Sequence, residues 1–256
     1  MACPVLMKSN VPLRLLRFLI IGIGLVPAVL SGAQESPPKP NIPSILADDL
    51  GKEWIGCYGA GDIRTPNIDA LASGGMMFHN AWSMPQCTPS RATLLTGRYP
   101  WRNGWVNHWD VPRWGVAYFD WKQPGNTTFA RLMKELGYAT CAAGKWQIND
   151  FRLEPMAMKK HGFDDWAMWT GYESGVKASA ERYRDPYINT PEGSRTYEEK
   201  FGPDLFADHL IGFMEEHHDE PMCLYYPMVL PHTPFTATPD EPDAKGRLEQ
   251  HKAMVR

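Results

Sequence analysis

The sequence predicts an α/β protein, with a mostly parallel central sheet and helices on both of its faces. Three observations lead there. Apolar runs of strand length alternate with segments of helical spacing. The 256 residues are 43% hydrophobic and 21% charged, which suits a globular protein with a sizeable core. Residues able to do chemistry (Asp48 and Asp49, Lys145, His232) each follow an apolar run, and ligands of parallel sheets gather at the carboxyl ends of strands.

Residues 1–33 read as a secretory signal. Lys8, Arg14 and Arg17 form a basic head, Phe18 to Leu30 is an apolar run of 13 residues, and Ser31-Gly32-Ala33 is a small-residue end. The run falls short of the roughly 20 residues a membrane span needs, so no stable span is expected after cleavage. Residues 34–40, rich in proline and polar side chains, read as a linker, and residues 41–256 as the globular domain. Asn41 to Ala47 predicts a strand, with Pro43 confined to its start or to a sheet edge. Thr65-Pro66 opens a helix through Ile68, Leu71 and Ala72 that stops at Gly74-Gly75. Met76 to Ala81 suits a second strand. Pro89 at the first helical position predicts a helix from Ser90 to Thr96 ended by Gly97. Thr127 or Thr128 caps a helix over Phe129 to Leu136, with Gly137 past its end. Tyr138 to Ala143 follows as a strand. Residues 151–201, rich in Trp, Tyr, Gly and charge but weakly periodic, read as an irregular insertion beside the site. Asp204 to His217 places Leu205, Phe206, Leu210, Phe213 and Met214 on one helical face. Met222 to Leu230 is a last strand, interrupted by Pro227.

Removal of residues 1–33 leaves 23 basic against 29 acidic residues, a net charge of −6. That balance argues against a nucleic-acid surface. Four cysteines remain, Cys57, Cys87, Cys141 and Cys223, too few for a disulfide scaffold. Cys57, Cys141 and Cys223 read most simply as core thiols, with one bridge left open.

The chemistry-bearing stretches have individual physical logic. Adjacent carboxylates such as Asp48 and Asp49 repel unless a cation binds them, and a hard divalent ion suits them. Cys87 ahead of a helix sits where N–H groups and the dipole favour an anion, with Arg91 in the first turn. Cys87-Thr88-Pro89-Ser90-Arg91, continuing through Ala92 to Pro100, resembles the C-x-P-x-R signature of sulfatases. Pro40-Asn41-Ile42, Ala47-Asp48-Asp49-Leu50-Gly51, Gly144-Lys145-Trp146 and Pro231-His232-Thr233-Pro234-Phe235 resemble further segments of that family, in family order. The resemblance covers roughly Pro40 to Phe235.

What the resemblance implies is a formylglycine-dependent sulfatase of the alkaline phosphatase superfamily. Cys87 would be oxidised to formylglycine by a formylglycine-generating enzyme, and the aldehyde hydrate would attack a sulfate ester of a glycan or small molecule. Asp48 and Asp49, with the modified Cys87, would ligate calcium, or magnesium in its place. Arg91 and Lys145 would stabilise charge on the sulfate, and His232 would contact it and protonate the leaving alcohol. Gln147 departs from the pattern, standing where the family has a histidine. Glutamine can hold the nucleophile by a hydrogen bond but accepts no proton near neutral pH, which leaves Asp150 as a nearby candidate base. The family's remaining metal ligands and a further lysine follow the Pro-His segment, whereas only 21 residues follow Phe235 here and contain no such segment. The chain therefore reads as a C-terminally truncated member without the C-terminal subdomain. Its expected location is secreted or periplasmic. Two readings stand beside the sulfatase: a phosphate or phosphonate monoester hydrolase of the same superfamily, and a catalytically inactive binding protein. Trp166, Trp169 and Tyr172 suit sugar stacking or core packing, and Asn126-Thr127-Thr128 is a glycosylation sequon in a eukaryotic setting.

Overall fold

The chain threads six strands into one sheet in the order β1-β6-β2-β3-β4-β5. The structure is a computed structural model describing residues 38–106, 122 and 125–240. The signal segment and the linker up to residue 37 lie outside the described residues. The strands are β1 (Ile42–Leu46), β2 (Ala139–Lys145), β3 (Asp165–Trp169), β4 (Tyr187–Thr190), β5 (Gly193–Thr196) and β6 (Met222–Pro227). The first four in spatial order, β1, β6, β2 and β3, run parallel, and β4 and β5 are antiparallel additions. The expected α/β class with a mostly parallel sheet is present. Pro43 lies on edge strand β1, where a missing N–H costs no central ladder bond.

Period-two alternation sorts the strand side chains onto two cores. Ala142, Trp166, Met168 and Tyr225 face one side, beneath α2 (Cys87–Thr96), α4 (Phe129–Glu135) and the short α5 (Ala157–Lys160). Cys141, Ala143, Ala167, Trp169 and Leu224 face the other, beneath α6 (Gly202–Glu216) with its buried Phe206, Leu210 and Phe213. Helices therefore cover both faces. Two further helices are α1 (Pro66–Gly74) and α3 (Pro100–Asn103). No helix among the described residues is long and apolar enough to cross a membrane.

Several expectations are corrected. Residues 76–81 form no strand; Met76 and Phe78 are exposed, so the apolar content of that segment does not mark a half-buried ribbon. Helix α2 begins at Cys87, three residues earlier than expected. Pro89 then occupies the third helical position, where the N–H it lacks would have had no intrahelical partner. Strand β2 runs two residues further than expected, so Lys145 is its last residue. The insertion read as irregular supplies β3, β4 and β5. Trp166 and Met168 point to one core and Ala167 and Trp169 to the other, so β3 is apolar on both sides and shows no alternation to read. Both Trp rings are core: the Trp166 indole donates to Asn189 Oδ1 at 2.8 Å and that of Trp169 to the Ser179 carbonyl at 2.8 Å. Tyr172 packs against the first core. Asn126 is buried, with its amide donating to the Asn103 carbonyl, so the sequon asparagine is no surface acceptor. Cys57, Cys87, Cys141 and Cys223 form no disulfide with one another.

His161 lies fully buried against Trp146, the residue after Lys145. Burial, reinforced by the cations Arg131 and Lys160, pushes its imidazole down from 6.5 to about 3. Between those values the unfolded chain binds a proton that the folded chain refuses, so stability falls as pH falls through that window. The expected loss is roughly 4 kcal/mol by pH 3. Urea unfolding from pH 7 to pH 3 checks it, since His161→Gln should flatten the acid limb by that amount.

Candidate active site

The carboxyl ends of β1, β2 and β6 meet at one edge of the sheet. Asp48, two residues past β1, has its backbone N–H bonded to the Leu230 carbonyl beyond β6 at 2.9 Å. Its carboxylate is buried and shared by two cations. Arg91 Nη2 donates to Oδ1 at 3.0 Å, and Lys145 Nζ donates to Oδ2 at 2.5 Å. Arg91 Nη1 also donates to the Lys145 carbonyl at 2.9 Å. All three side chains are almost completely excluded from water. Burial, followed by the neighbouring Arg91 charge, pushes the Lys145 ammonium below its usual range, and Asp48 opposes that shift. Gly144 permits the strand geometry behind Lys145: at φ +124 it passes so close to β6 that a Cβ would meet the Pro227 carbonyl oxygen at 2.1 Å.

Cys87 is the first residue of α2, whose start has no side-chain cap. It lines an open cleft of about 340 Å³ together with Arg91, Ser90 and residues 46–51 and 83–86. Asp49 lines the same cleft in the left-handed region at φ +61, and faces His232 Nε2 across 3.5 Å. The other His232 nitrogen, Nδ1, lies 3.0 Å from Arg182 Nη2. Gln147 also adopts a left-handed backbone, at φ +60, and its carbonyl accepts from the Thr88 hydroxyl of α2 at 3.3 Å. Asp49 in the cleft and Gln147 next to α2 thus both occupy this sparse region, the kind of strain that functional sites retain.

The structure thus brings Asp48, Arg91 and Lys145 into direct contact, pairs Asp49 with His232, and sets Cys87 and Gln147 on or next to α2. Asp150 serves otherwise. Its Oδ1 accepts from the Arg152 N–H at 3.0 Å, and its Oδ2 from the Ser174 N–H at 2.9 Å and the Ser174 hydroxyl at 2.5 Å. Those bonds make it a loop anchor. Sequence reasoning missed Arg182 and Tyr183. Arg182 stacks over Trp169 and Tyr183 and donates to the Thr233 carbonyl, and the Tyr183 hydroxyl bonds the carbonyls of Val229 and His232. Both lie in the stretch without periodicity, and their contacts lie about 50 residues away.

Asp48 and Asp49 offer a hard oxygen donor pair at the cleft, which fits a divalent cation of the calcium or magnesium class. Asp48 would have to be shared with, or released from, Arg91 and Lys145.

A family model described as Sulfatase matches residues 40–253. Over 171 residues the chain is 40% identical to the steryl-sulfatase of Homo sapiens, covering 62% of this chain and 27% of that protein. It is 29% identical to the N-acetylglucosamine-6-O-sulfatase of Bacteroides thetaiotaomicron over 237 residues, 91% of this chain and 38% of that one. In three dimensions it resembles BT4656, solved in complex with its substrate D-glucosamine-2-N,6-O-disulfate. The TM-score is 0.62 at 28% identity, covering 78% of this chain and 36% of that chain. The chain spans well under half the length of these relatives.

Proposed function

Because the chain belongs to the sulfatase family, we propose that it hydrolyses a sulfate ester of a carbohydrate or small alcohol, with Cys87 converted to formylglycine as the nucleophile. The observation that carries this reading is the position of Cys87. It opens helix α2 onto a cleft that Asp48 and Arg91 also line, with Lys145 bonded to Asp48 behind them. Named relatives acting on steryl and N-acetylglucosamine-6-O-sulfates support the substrate class.

The hydrated aldehyde supplies two hydroxyls on one carbon, one to attack sulfur and one to drive out sulfate afterwards. Arg91 and Lys145, held in place by Asp48, provide positive charge where the sulfuryl oxygens gain negative charge. The N-terminal N–H groups of α2 add to that field. His232, positioned by Arg182 through Nδ1, keeps Nε2 toward the cleft as the donor to the leaving oxygen. Gln147 orients groups by hydrogen bonding and moves no proton. Asp48 and Asp49 would hold a calcium or magnesium ion, which supplies further charge stabilisation. The basic head and apolar run of residues 1–33 support a secreted or periplasmic location, and a formylglycine-generating enzyme acts during maturation.

Mass spectrometry of the Cys87 peptide, from a host carrying the modifying enzyme, is expected to show a loss of about 18 Da, on the scale of cysteine oxidation chemistry. The same preparation is expected to release sulfate from aryl sulfates faster than phosphate from the matching phosphate esters. An intact thiol at Cys87 favours an inactive binding protein, and a reversed preference favours a phosphoesterase.

A further inference from the structure

A second group of chemically able side chains sits under α6, away from the cleft. Cys141 stands opposite Asp165 in the parallel register of β2 and β3, and His209 reaches them from α6. Four residues separate Cys141 from Lys145, about 13 Å along the strand. The Cys141 sulfur, an Asp165 carboxylate oxygen and a His209 ring nitrogen all lie within 4.8 Å of one another. His209 Nε2 is 3.1 Å from Asp165 Oδ2, at ion-pair distance, and is itself shielded from solvent.

We propose that Cys141, Asp165 and His209 form a site for one transition-metal dication of the zinc type, completed by a water. Thiolate, imidazole and carboxylate are the ligands zinc takes at about 2.0–2.3 Å, and a tetrahedron of that size separates its donors by about 3.3–3.8 Å. A modest contraction of the present cluster reaches that geometry. The charges close as well: one thiolate and one carboxylate neutralise a dication, which suits a place beside a hydrophobic core. Without metal the thiol keeps its proton, because burial and the Asp165 charge push Cys141 far up. Binding releases that proton to solvent and forms the sulfur–metal bond in its place. Asp165 and His209 keep side-chain exposures of 37% and 25%, which gives an ion a way in. The soft sulfur separates this site from the all-oxygen pair Asp48 and Asp49, which prefers harder cations. Bound metal would clamp α6 to two neighbouring strands.

Cobalt(II) titration of the full chain carrying Cys87→Ala, so that the cleft thiol contributes nothing, tests the proposal. One equivalent is expected to produce a thiolate-to-cobalt charge-transfer band that zinc abolishes. Zinc at a hundredfold excess over Kd is expected to raise the melting temperature by about 5–10 °C. Cys141→Ser should lose the band. His209→Ala, on the partly exposed flank of α6, should weaken binding at least tenfold and keeps the test decisive if the serine variant fails to fold. Absence of the band, its survival in Cys141→Ser, or an unchanged Kd in His209→Ala overturns the proposal.

Discussion

Cys87→Ser is expected to release at most one equivalent of alcohol per protein molecule, keep the sulfuryl group on its serine oxygen, and then stop. Serine at the start of α2 keeps the helix, the cleft and an oxygen nucleophile, so ester binding and a first attack on sulfur remain available. It offers only one hydroxyl on its carbon, however. After that oxygen has taken the sulfuryl group, no second hydroxyl is left to reform a carbonyl and push sulfate out, and hydrolysis of a plain alkyl sulfate must come from outside water. Arg91, Lys145 and Asp48 are unchanged by the substitution, so the loss falls on the second half of the reaction. Alcohol and free sulfate followed over time, with mass analysis of the residue-87 peptide for a retained sulfuryl group after the burst, check both parts. Sustained turnover by the serine variant rules out the formylglycine mechanism proposed for this chain.

Asp48→Asn is expected to destabilise the fold by about 3–5 kcal/mol, the usual cost of removing one partner from a buried ion pair. The asparagine keeps the shape of the side chain but leaves Arg91 and Lys145, both nearly inaccessible to water, without their shared counter-charge. Urea unfolding at neutral pH measures the loss, and a change below about 1 kcal/mol would show that the two ion pairs do not hold the site together. The pH dependence adds a signature. Lys145 has a folded-state pKa below its usual 10.5 because of burial and Arg91, and the loss of Asp48 lowers it further. Between that folded value and 10.5 the unfolded chain binds the extra proton, so stability rises with pH across the window. The variant should therefore recover part of its lost stability at alkaline pH, and to a greater extent than the parent.

The legible parts of this site were local in sequence. Residues 87–98 carry nucleophile, helix start and Arg91 in one unbroken stretch, and Asp48-Asp49 announce themselves as an adjacent pair. The position of Lys145 at a strand end followed from the α/β pattern alone, whereas β6 stops at Pro227, short of the expected Leu230 and five residues before His232. What stayed hidden depended on distant pairing. Arg182 reaches His232 across 50 residues from a segment whose strand is apolar on both faces, so neither motif nor periodicity marked it. The extra start of α2 was hidden for a different reason. Proline is tolerated anywhere in a first helical turn, so Pro89 locates that turn without fixing its first residue. The exposed segment 76–81 shows the converse, apolar letters with no sheet partner to pair against.

The pairing of β1 with β6 has a consequence for how the chain is made. Ile42 finds its register partner at Cys223, and Asn41 Oδ1 accepts the Met222 N–H across 181 residues. At synthesis rates of about 5–20 residues per second, β1 waits roughly 10–40 s for the strand that completes its ladder. During that interval β2 and β3, close together in sequence, can already assemble, while Asp48 and Asp49 trail from an unpaired ribbon. The acidic half of the cleft is therefore set in place only once β6 is available, after the cysteine-bearing helix has long been synthesised.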